Sequence, residues 1–152
     1  MLASFPSGVT IVTALGTDGR PRGLTLSAFC AVSSRPPLVL VCVDRESNTL
    51  EAVKDAGAFT VNVLSSGSRA LARRYATKND EKFDGVVWEA PSLAGAGPIL
   101  RQHCAAYAVC GLRDCIEAGD HFVLIGEVVE GEAWADIQPL VYSRRAFGVW
   151  AD

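Results

Sequence analysis

Gly23-Leu24-Thr25-Leu26-Ser27-Ala28-Phe29 runs on into Val32-Ser33-Ser34-Arg35-Pro36-Pro37. The stretch alternates small hydroxyl residues with apolar ones and stops at a double proline. On a strand, successive side chains point to opposite faces, so Thr25, Ser27 and Phe29 share one side while Leu24, Leu26 and Ala28 share the other. A row of small hydroxyls beside strand backbone can approach a flat heterocycle and hydrogen-bond its polar edge. The same row also serves as the ordinary solvent-facing side of a sheet. Both readings make the segment a strand and place the fold among β architectures.

The flanking sequence extends this pattern. Val9-Thr10-Ile11-Val12-Thr13-Ala14 leads to Thr17-Asp18-Gly19-Arg20, and Asp-Gly is a strong hairpin signal because both residues tolerate positive φ. The return strand then carries the hydroxyl row. Residues 38–43 are apolar at every position, which predicts a central strand covered on both faces. Residues 59–64 alternate, with Phe59, Val61 and Val63 facing one way. Further strands are expected over 104–115 and 121–129, with a short final pair at 140–142 and 146–150. Helices are few. Asn48, with Glu51 three residues on, resembles a capping box and Gly57 a stop, predicting a helix over 49–56. A second helix is expected over 68–76, with Ala70, Leu71 and Tyr75 apolar and Arg69, Arg73 and Arg74 solvated. Many short strands with two helices predict a mainly β fold, a closed or nearly closed β-barrel with peripheral helices, as one domain over residues 1–152.

Composition narrows the class. With 49% hydrophobic and 20% charged residues in 152, the chain has the makeup of a soluble globular domain. A formal net charge of −3 argues against nucleic acid as a partner. No apolar run approaches the ~20 residues that span a bilayer, so no membrane partner is expected. The N-terminus lacks a basic start followed by a long apolar segment, and the expected compartment is the cytoplasm. Cys30, Cys42, Cys104, Cys110 and Cys115 are odd in number and form no CxxC pair, which disfavours zinc-knuckle and redox-dithiol readings. Most are expected to be reduced and packed as small hydrophobes.

The common hydrolase, zincin and P-loop signatures are absent. Gly95-Ala96-Gly97 runs into Pro98 and reads as a loop rather than a dinucleotide fingerprint. Two histidines, His103 and His121, rule out a multi-histidine metal site within one chain. Four features remain. Ser47-Asn48-Thr49 opens the first helix, where free N–H groups and short polar side chains form a phosphate cradle or simply a cap, and Arg45 could add charge. Asn79-Asp80-Glu81-Lys82-Phe83 is a solvated turn, or it offers a cation and a ring face to a nucleotide tail. Gly119-Asp120-His121 enters the apolar strand Phe122-Val123-Leu124-Ile125-Gly126. It is a ligand-facing imidazole at a strand mouth, or a histidine bonded by its neighbour for local reasons. Tyr142, before Arg144 and Arg145, packs in a half-buried position or closes a cleft.

Taken in order, these features resemble the flavin reductase-like domain family, which includes short-chain NAD(P)H:flavin oxidoreductases serving two-component monooxygenases. The resemblance runs through Phe5-Pro6-Ser7-Gly8-Val9, Val12-Thr13, residues 23–29, Val32-Ser33, Pro36-Pro37 and Ser47-Asn48-Thr49. It continues at Phe59, Val61-Asn62-Val63-Leu64, Lys82-Phe83, Gly85, Trp88, Gly97-Pro98, Gly119-Asp120-His121, Gly126, Val128 and Pro139-Leu140. It implies an FMN-binding split barrel, a homodimer with flavin near the subunit interface, FMN or FAD as cofactor, and NADH or NADPH as reductant. A flavin-dependent monooxygenase is the implied receiver of reduced flavin. The resemblance places Thr25, Leu26, Ser27 and Ala28 against the isoalloxazine and Cys42, Val43 and Asp44 along the ribityl chain. It places Ser47, Asn48 and Thr49 at the phosphate, with Lys82 and Phe83 near the phosphate or adenine. His121 stands beside the nicotinamide with Tyr142 a neighbour, and no metal is implied. Lys82 stands where an arginine is frequent in the family, and Phe147 where a tyrosine is. Alternatives sharing the barrel are a flavin- or haem-binding module without turnover and an oxidase of the pyridoxamine-phosphate type.

Overall fold

The computed structural model describes residues 2–150. Ten strands and two α-helices follow in chain order: β1 (Ser7–Gly8), β2 (Thr10–Leu15), β3 (Pro21–Leu26), β4 (Phe29–Ser34), β5 (Pro37–Asp44), α1 (Asn48–Ala56), β6 (Ala58–Leu64), α2 (Arg69–Tyr75), β7 (Cys104–Ala118), β8 (His121–Ala133), β9 (Leu140–Ser143) and β10 (Ala146–Val149). Seven strands form one antiparallel sheet in the order β3-β2-β6-β7-β8-β5-β4, and β1, β9 and β10 form a smaller one.

The connectivity forces closure. β3 and β4 are the two outer strands of the large sheet, yet only Ser27 and Ala28 lie between them in the chain. Laid flat, seven strands would hold their outer members roughly 29 Å apart. The chain from Leu26 to Phe29 spans at most about 11 Å. The sheet therefore rolls up until its edges meet, a split barrel with its seam between β3 and β4. There the Cys42 amide donates to the Ala28 carbonyl at 3.0 Å, and the Phe29 amide to the Ser27 carbonyl at 3.0 Å. The expected unbroken strand over 23–29 is thus two strands joined by a bend. Thr25, Ser27 and Phe29 do not share a face, because the chain changes edge at Ser27.

The barrel interior is filled by Val12, Leu26, Val39, Val41, Val43, Phe59, Val61, Cys110 and Leu124, with Leu50, Ala52 and Val53 of α1 packed into the same core. Gly126 makes room for this packing: a Cβ there would lie 2.5 Å from Phe59 Cζ.

β5 differs from its expected double coverage. Val39, Val41 and Val43 are buried, while Leu38, Leu40 and Cys42 are half-buried. The neighbouring edge strand β4 exposes Phe29, Cys30, Ala31 and Val32. β6 departs in the other direction, with its polar face buried as fully as its apolar one. Residues 97–100 lie over that face. The Thr60 hydroxyl donates to Gly97 O at 2.7 Å, the Thr13 hydroxyl to Pro98 O at 2.8 Å, and the Leu100 amide to Asn62 Oδ1 at 2.8 Å. Gly97 is required by this approach, since its Cβ would lie 2.2 Å from the Ala14 nitrogen.

The Asp18-Gly19 hairpin joins β2 to β3 as expected, with Gly19 at a φ of 74°. α1 covers the predicted range, but its cap is Ser47 rather than Asn48, the Ser47 side chain accepting from the Thr49 amide, and Gly57 closes it in the left-handed conformation. On α2, Leu71, Ala72 and Tyr75 are buried and Ala70 is exposed, so the apolar stripe lies one residue from its expected place. The final pair forms as expected, β9 against β10, and β1 pairs with β9.

Candidate functional site

A cavity of about 460 Å³ opens beside the seam, lined by Leu24, Thr25 and Leu26 of β3, Cys42 and Asp44 of β5, and Glu46, Ser47 and Asn48 at the start of α1. Its remaining wall comes from Tyr75 at the end of α2, from Ala76, Thr77, Lys78, Asn79, Asp80 and Lys82, and from His121. That volume lies within the range of about 300–1,000 Å³ typical of small-molecule sites. The meeting of strand edges at the seam and the placement of α1 and α2 beside them bring together residues almost a hundred positions apart.

The floor combines apolar and polar walls. Leu24 and Leu26 supply hydrocarbon. The Thr25 hydroxyl donates to the Ala72 carbonyl of α2 at 2.6 Å, leaving its oxygen lone pairs as acceptors. Gly23, just before, is buried under Tyr75 and Phe83, whose ring carbons would lie 3.1 Å from a Cβ at that position. The hydroxyl of fully buried Tyr75 has no hydrogen-bond partner among the described residues, and burial raises its pKa.

The amino terminus of α1 forms part of the wall. Ser47 Oγ accepts from the Thr49 amide at 3.2 Å, and Asp44 Oδ1 accepts from the Glu46 amide at 2.8 Å, which shapes the turn into the helix. The helix dipole and first-turn N–H groups favour negative charge here. His121 lies opposite Asp44 in the β5–β8 ladder. Its Nδ1 is 2.8 Å from Asp120 Oδ1. That hydrogen bond lowers the Asp120 pKa and favours the tautomer with hydrogen on Nδ1, leaving Nε2 as the acceptor.

Lys82 closes a side. Its Nζ donates to Gly23 O at 3.0 Å and Tyr75 O at 3.2 Å, tying the 76–84 segment to β3 and α2. Burial lowers its pKa, opposed by the nearby Asp80 carboxylate. Arg74 holds the same segment through Glu81 O at 2.6 Å and Asp84 O at 2.7 Å, so it is a brace rather than the solvated residue expected. Beyond Lys82 lies a second cavity of about 580 Å³, lined in part by Arg20, Arg22, Phe83 and Asp84. It shares Asn48, Asn79, Asp80 and Lys82 with the first, so the two adjoin.

Of the residues singled out from sequence, Thr25, Leu26, Cys42, Asp44, Ser47, Asn48, Asn79, Asp80, Lys82 and His121 line the first cavity. Phe83 lines the second and packs edge-on against Tyr75 with centroids 5.0 Å apart. Val43 faces the barrel interior and Thr49 is wholly buried, its hydroxyl without a partner among the described residues. Ser27 and Ala28 form the exposed seam bend outside the cavity lining. Tyr142 lies in the small sheet against Phe147. Arg45 does not line the cavity; it pairs with Glu117 and donates to Gly119 O at 2.8 Å. Sequence reading missed Leu24, Glu46, Tyr75, Ala76, Thr77 and Lys78. Tyr75 carried the nearest signal, the one large aromatic on the apolar side of the second helix.

The sequence matches the family described as "Flavin reductase like domain" over residues 2–151. It is 43% identical over 151 residues to a flavin reductase (NADH) of Kitasatospora aureofaciens, covering 99% of this chain and 78% of that protein. It is 39% identical over 148 residues to the reductase component of a 4-nitrophenol 4-monooxygenase/4-nitrocatechol 2-monooxygenase of Rhodococcus opacus, covering 97% of this chain and 77% of that protein. Among solved structures, the Streptomyces globisporus NADH:FAD oxidoreductase in complex with NAD and FAD fragments superposes with a TM-score of 0.91 at 33% identity, over 99% of this chain and 88% of that one. With the split barrel and its seam cavity, these likenesses establish that the chain belongs to the flavin reductase-like domain family.

Proposed function

We propose that the protein is an NAD(P)H:flavin oxidoreductase that reduces FMN or FAD and passes the reduced flavin to a partner flavin-dependent monooxygenase. The observation that carries this reading is one cavity with an anion-favouring helix terminus at Ser47 and Asn48 and an oriented imidazole at His121. The residues present suit a flavin: an apolar wall at Leu24 and Leu26, polar strand edges, and an unpartnered buried hydroxyl at Tyr75. Bound flavin supplies the ring that accepts hydride, and the reduced nicotinamide supplies the hydride.

The chain's own work is binding and orientation. Thr25 and Leu26 flank the ring, and Cys42 and Asp44 border the ribityl chain. Ser47 accepts from the Thr49 amide while its hydroxyl hydrogen is free to donate to a phosphate oxygen. Asn48 adds its amide, and the helix dipole adds field. Lys82 and Phe83 stand where the cavity continues toward an adenylate. His121, with Nδ1 engaged by Asp120, presents Nε2 to the nicotinamide carboxamide and fixes its approach. Stacked rings held at contact need no acid–base triad.

A homodimer fits this scheme. β4 is an edge strand exposing Phe29 and Val32 at 37% and 46%, and the half-buried Leu38 and Leu40 extend that apolar face across β5. Five free thiols favour the cytoplasm as the setting. No helix among the described residues is long and apolar enough to cross a membrane.

Steady-state oxidation of NADH and NADPH, with and without added FMN, FAD or riboflavin, tests the activity. Turnover that saturates with added flavin is the expected result and ranks both nucleotides. No oxidation with any pair, despite confirmed flavin binding, would replace this reading with a binding module.

A further inference from the structure

We propose that Arg45 is the positioning residue for His121, acting through the β7–β8 turn rather than on a phosphate. The turn is the two residues Gly119 and Asp120, with Ala118 paired to His121 across its base and Gly119 at a φ of 66°. The two turn residues project beyond the last pair of the β7–β8 ladder, so contacts from outside the hairpin are what fix them.

Arg45 supplies such contacts in three ways. Its backbone amide donates to Asp120 O at 2.9 Å, continuing the β5–β8 ladder past the Asp44–His121 pair. Its guanidinium donates to Gly119 O at 2.8 Å, and the same nitrogen pairs with Glu117 on the strand entering the turn. Its Cζ lies 5.4 Å from the centroid of the Phe122 ring, the residue following His121. The side chain thus touches the hairpin on both sides of Asp120, at Glu117 and Gly119 before it and Phe122 after it, while the backbone amide holds Asp120 itself. Asp120 is held in turn to His121 Nδ1 at 2.8 Å. The chain of contacts runs from the β5–α1 junction, which carries Ser47 and Asn48, to the imidazole. Arg45 thereby fixes the turn that carries Asp120, and through it the imidazole, against the β5–α1 junction.

Reach, charge and the flat guanidinium all matter: one terminal nitrogen meets the Glu117 carboxylate and the Gly119 carbonyl while the guanidinium lies near the Phe122 ring, a combination that a lysine ammonium reproduces only in part. Glu117 is held below the ordinary carboxylate range chiefly by its hydrogen bond from Arg45, in keeping with a paired, ionised partner.

The inference rests on the reading that His121 meets the nicotinamide, and a double-mutant cycle separates the two. Arg45→Gln, His121→Ala and the double variant are compared for nicotinamide KM, kcat, flavin affinity by fluorescence quenching, and Tm. Arg45→Gln is expected to raise KM about five- to tenfold, with flavin affinity within about twofold, and to add less than about twofold in the His121→Ala background. Arg45→Lys should recover part of the loss. Glu117→Gln, which leaves the carbonyl contact, should shift KM in the same direction by less, and it keeps the test open should Arg45→Gln not fold. Equal KM effects of Arg45→Gln with and without the imidazole would overturn the proposal, as would an unchanged KM in folded Arg45→Gln. An unchanged KM in His121→Ala would instead remove the reading of His121 itself, and this proposal with it.

Discussion

Asp44 and His121 are direct partners across the β5–β8 ladder, and both line the cavity at the barrel seam. Three residues after Asp44 the chain reaches Ser47, the cap of α1. The imidazole end and the helix-terminus end of the site are therefore carried on one hydrogen-bonded frame.

Removing the imidazole should affect one end only. His121→Ala is expected to raise the nicotinamide KM about tenfold while flavin affinity stays within about twofold, because binding energy lost at one subsite leaves the other intact. Steady-state kinetics with either nucleotide, set beside a flavin fluorescence titration, measure both quantities. Equal losses in both would place His121 on the flavin instead.

Lys82 should matter through the wall it holds. Lys82→Met removes the two bonds to Gly23 O and Tyr75 O, which tie the 76–84 segment to β3 and α2. The expected outcome is a loss of about 1–2 kcal/mol of stability and several-fold weaker flavin binding. Denaturant unfolding and a flavin titration check the two effects. Weaker binding with unchanged stability would mean that Lys82 meets the ligand directly.

Asn62 is the polar pin of the barrel's covered face. Its amide donates to Ile11 O and Pro98 O, each at 3.2 Å, and its carbonyl accepts from the Leu100 amide at 2.8 Å. Asn62→Ala leaves the buried Leu100 amide without its acceptor and removes the side-chain bonds to Ile11 O and Pro98 O, and should cost about 3 kcal/mol. Gly97→Ala should cost at least as much, since its Cβ would overlap β2 backbone. Urea midpoints of both variants decide this.

The thiols should separate by burial. Burial pushes both Cys104 and Cys110 up to about 12 from 9.0, so they stay protonated and unreactive at neutral pH. Exposed Cys30 and Cys115 should react first with a thiol reagent, and Cys42, half-buried in the cavity wall, should be protected by added flavin. The raised values carry a sign. In the unfolded chain these thiols ionise near pH 9, while folded ones hold their protons to about 12. Their contribution is therefore complete below pH 9 and is lost as pH rises to about 12. Alkaline unfolding curves of Cys110→Ala should fall less steeply over that window.

What the sequence by itself determined was local. The Asp18-Gly19 hairpin, the run of α1 to Gly57 and the β9–β10 pair depend on contacts within a few residues, where φ preference and side-chain periodicity act directly. The ordered motifs also carried the family and the two ends of the site at Ser47–Asn48 and His121. Tertiary structure alone decided the break at Ser27 and Ala28, because alternation within a strand is silent about which sheet edge each half joins. It decided that Thr60 and Asn62 are buried, since their cover comes from residues 97–100. It also turned Arg45 from the helix terminus to Glu117 and Gly119, 72 and 74 positions away. A long, charged side chain at a strand end is within reach of several partners. Only the closure of the barrel determines which of them stands within hydrogen-bonding distance.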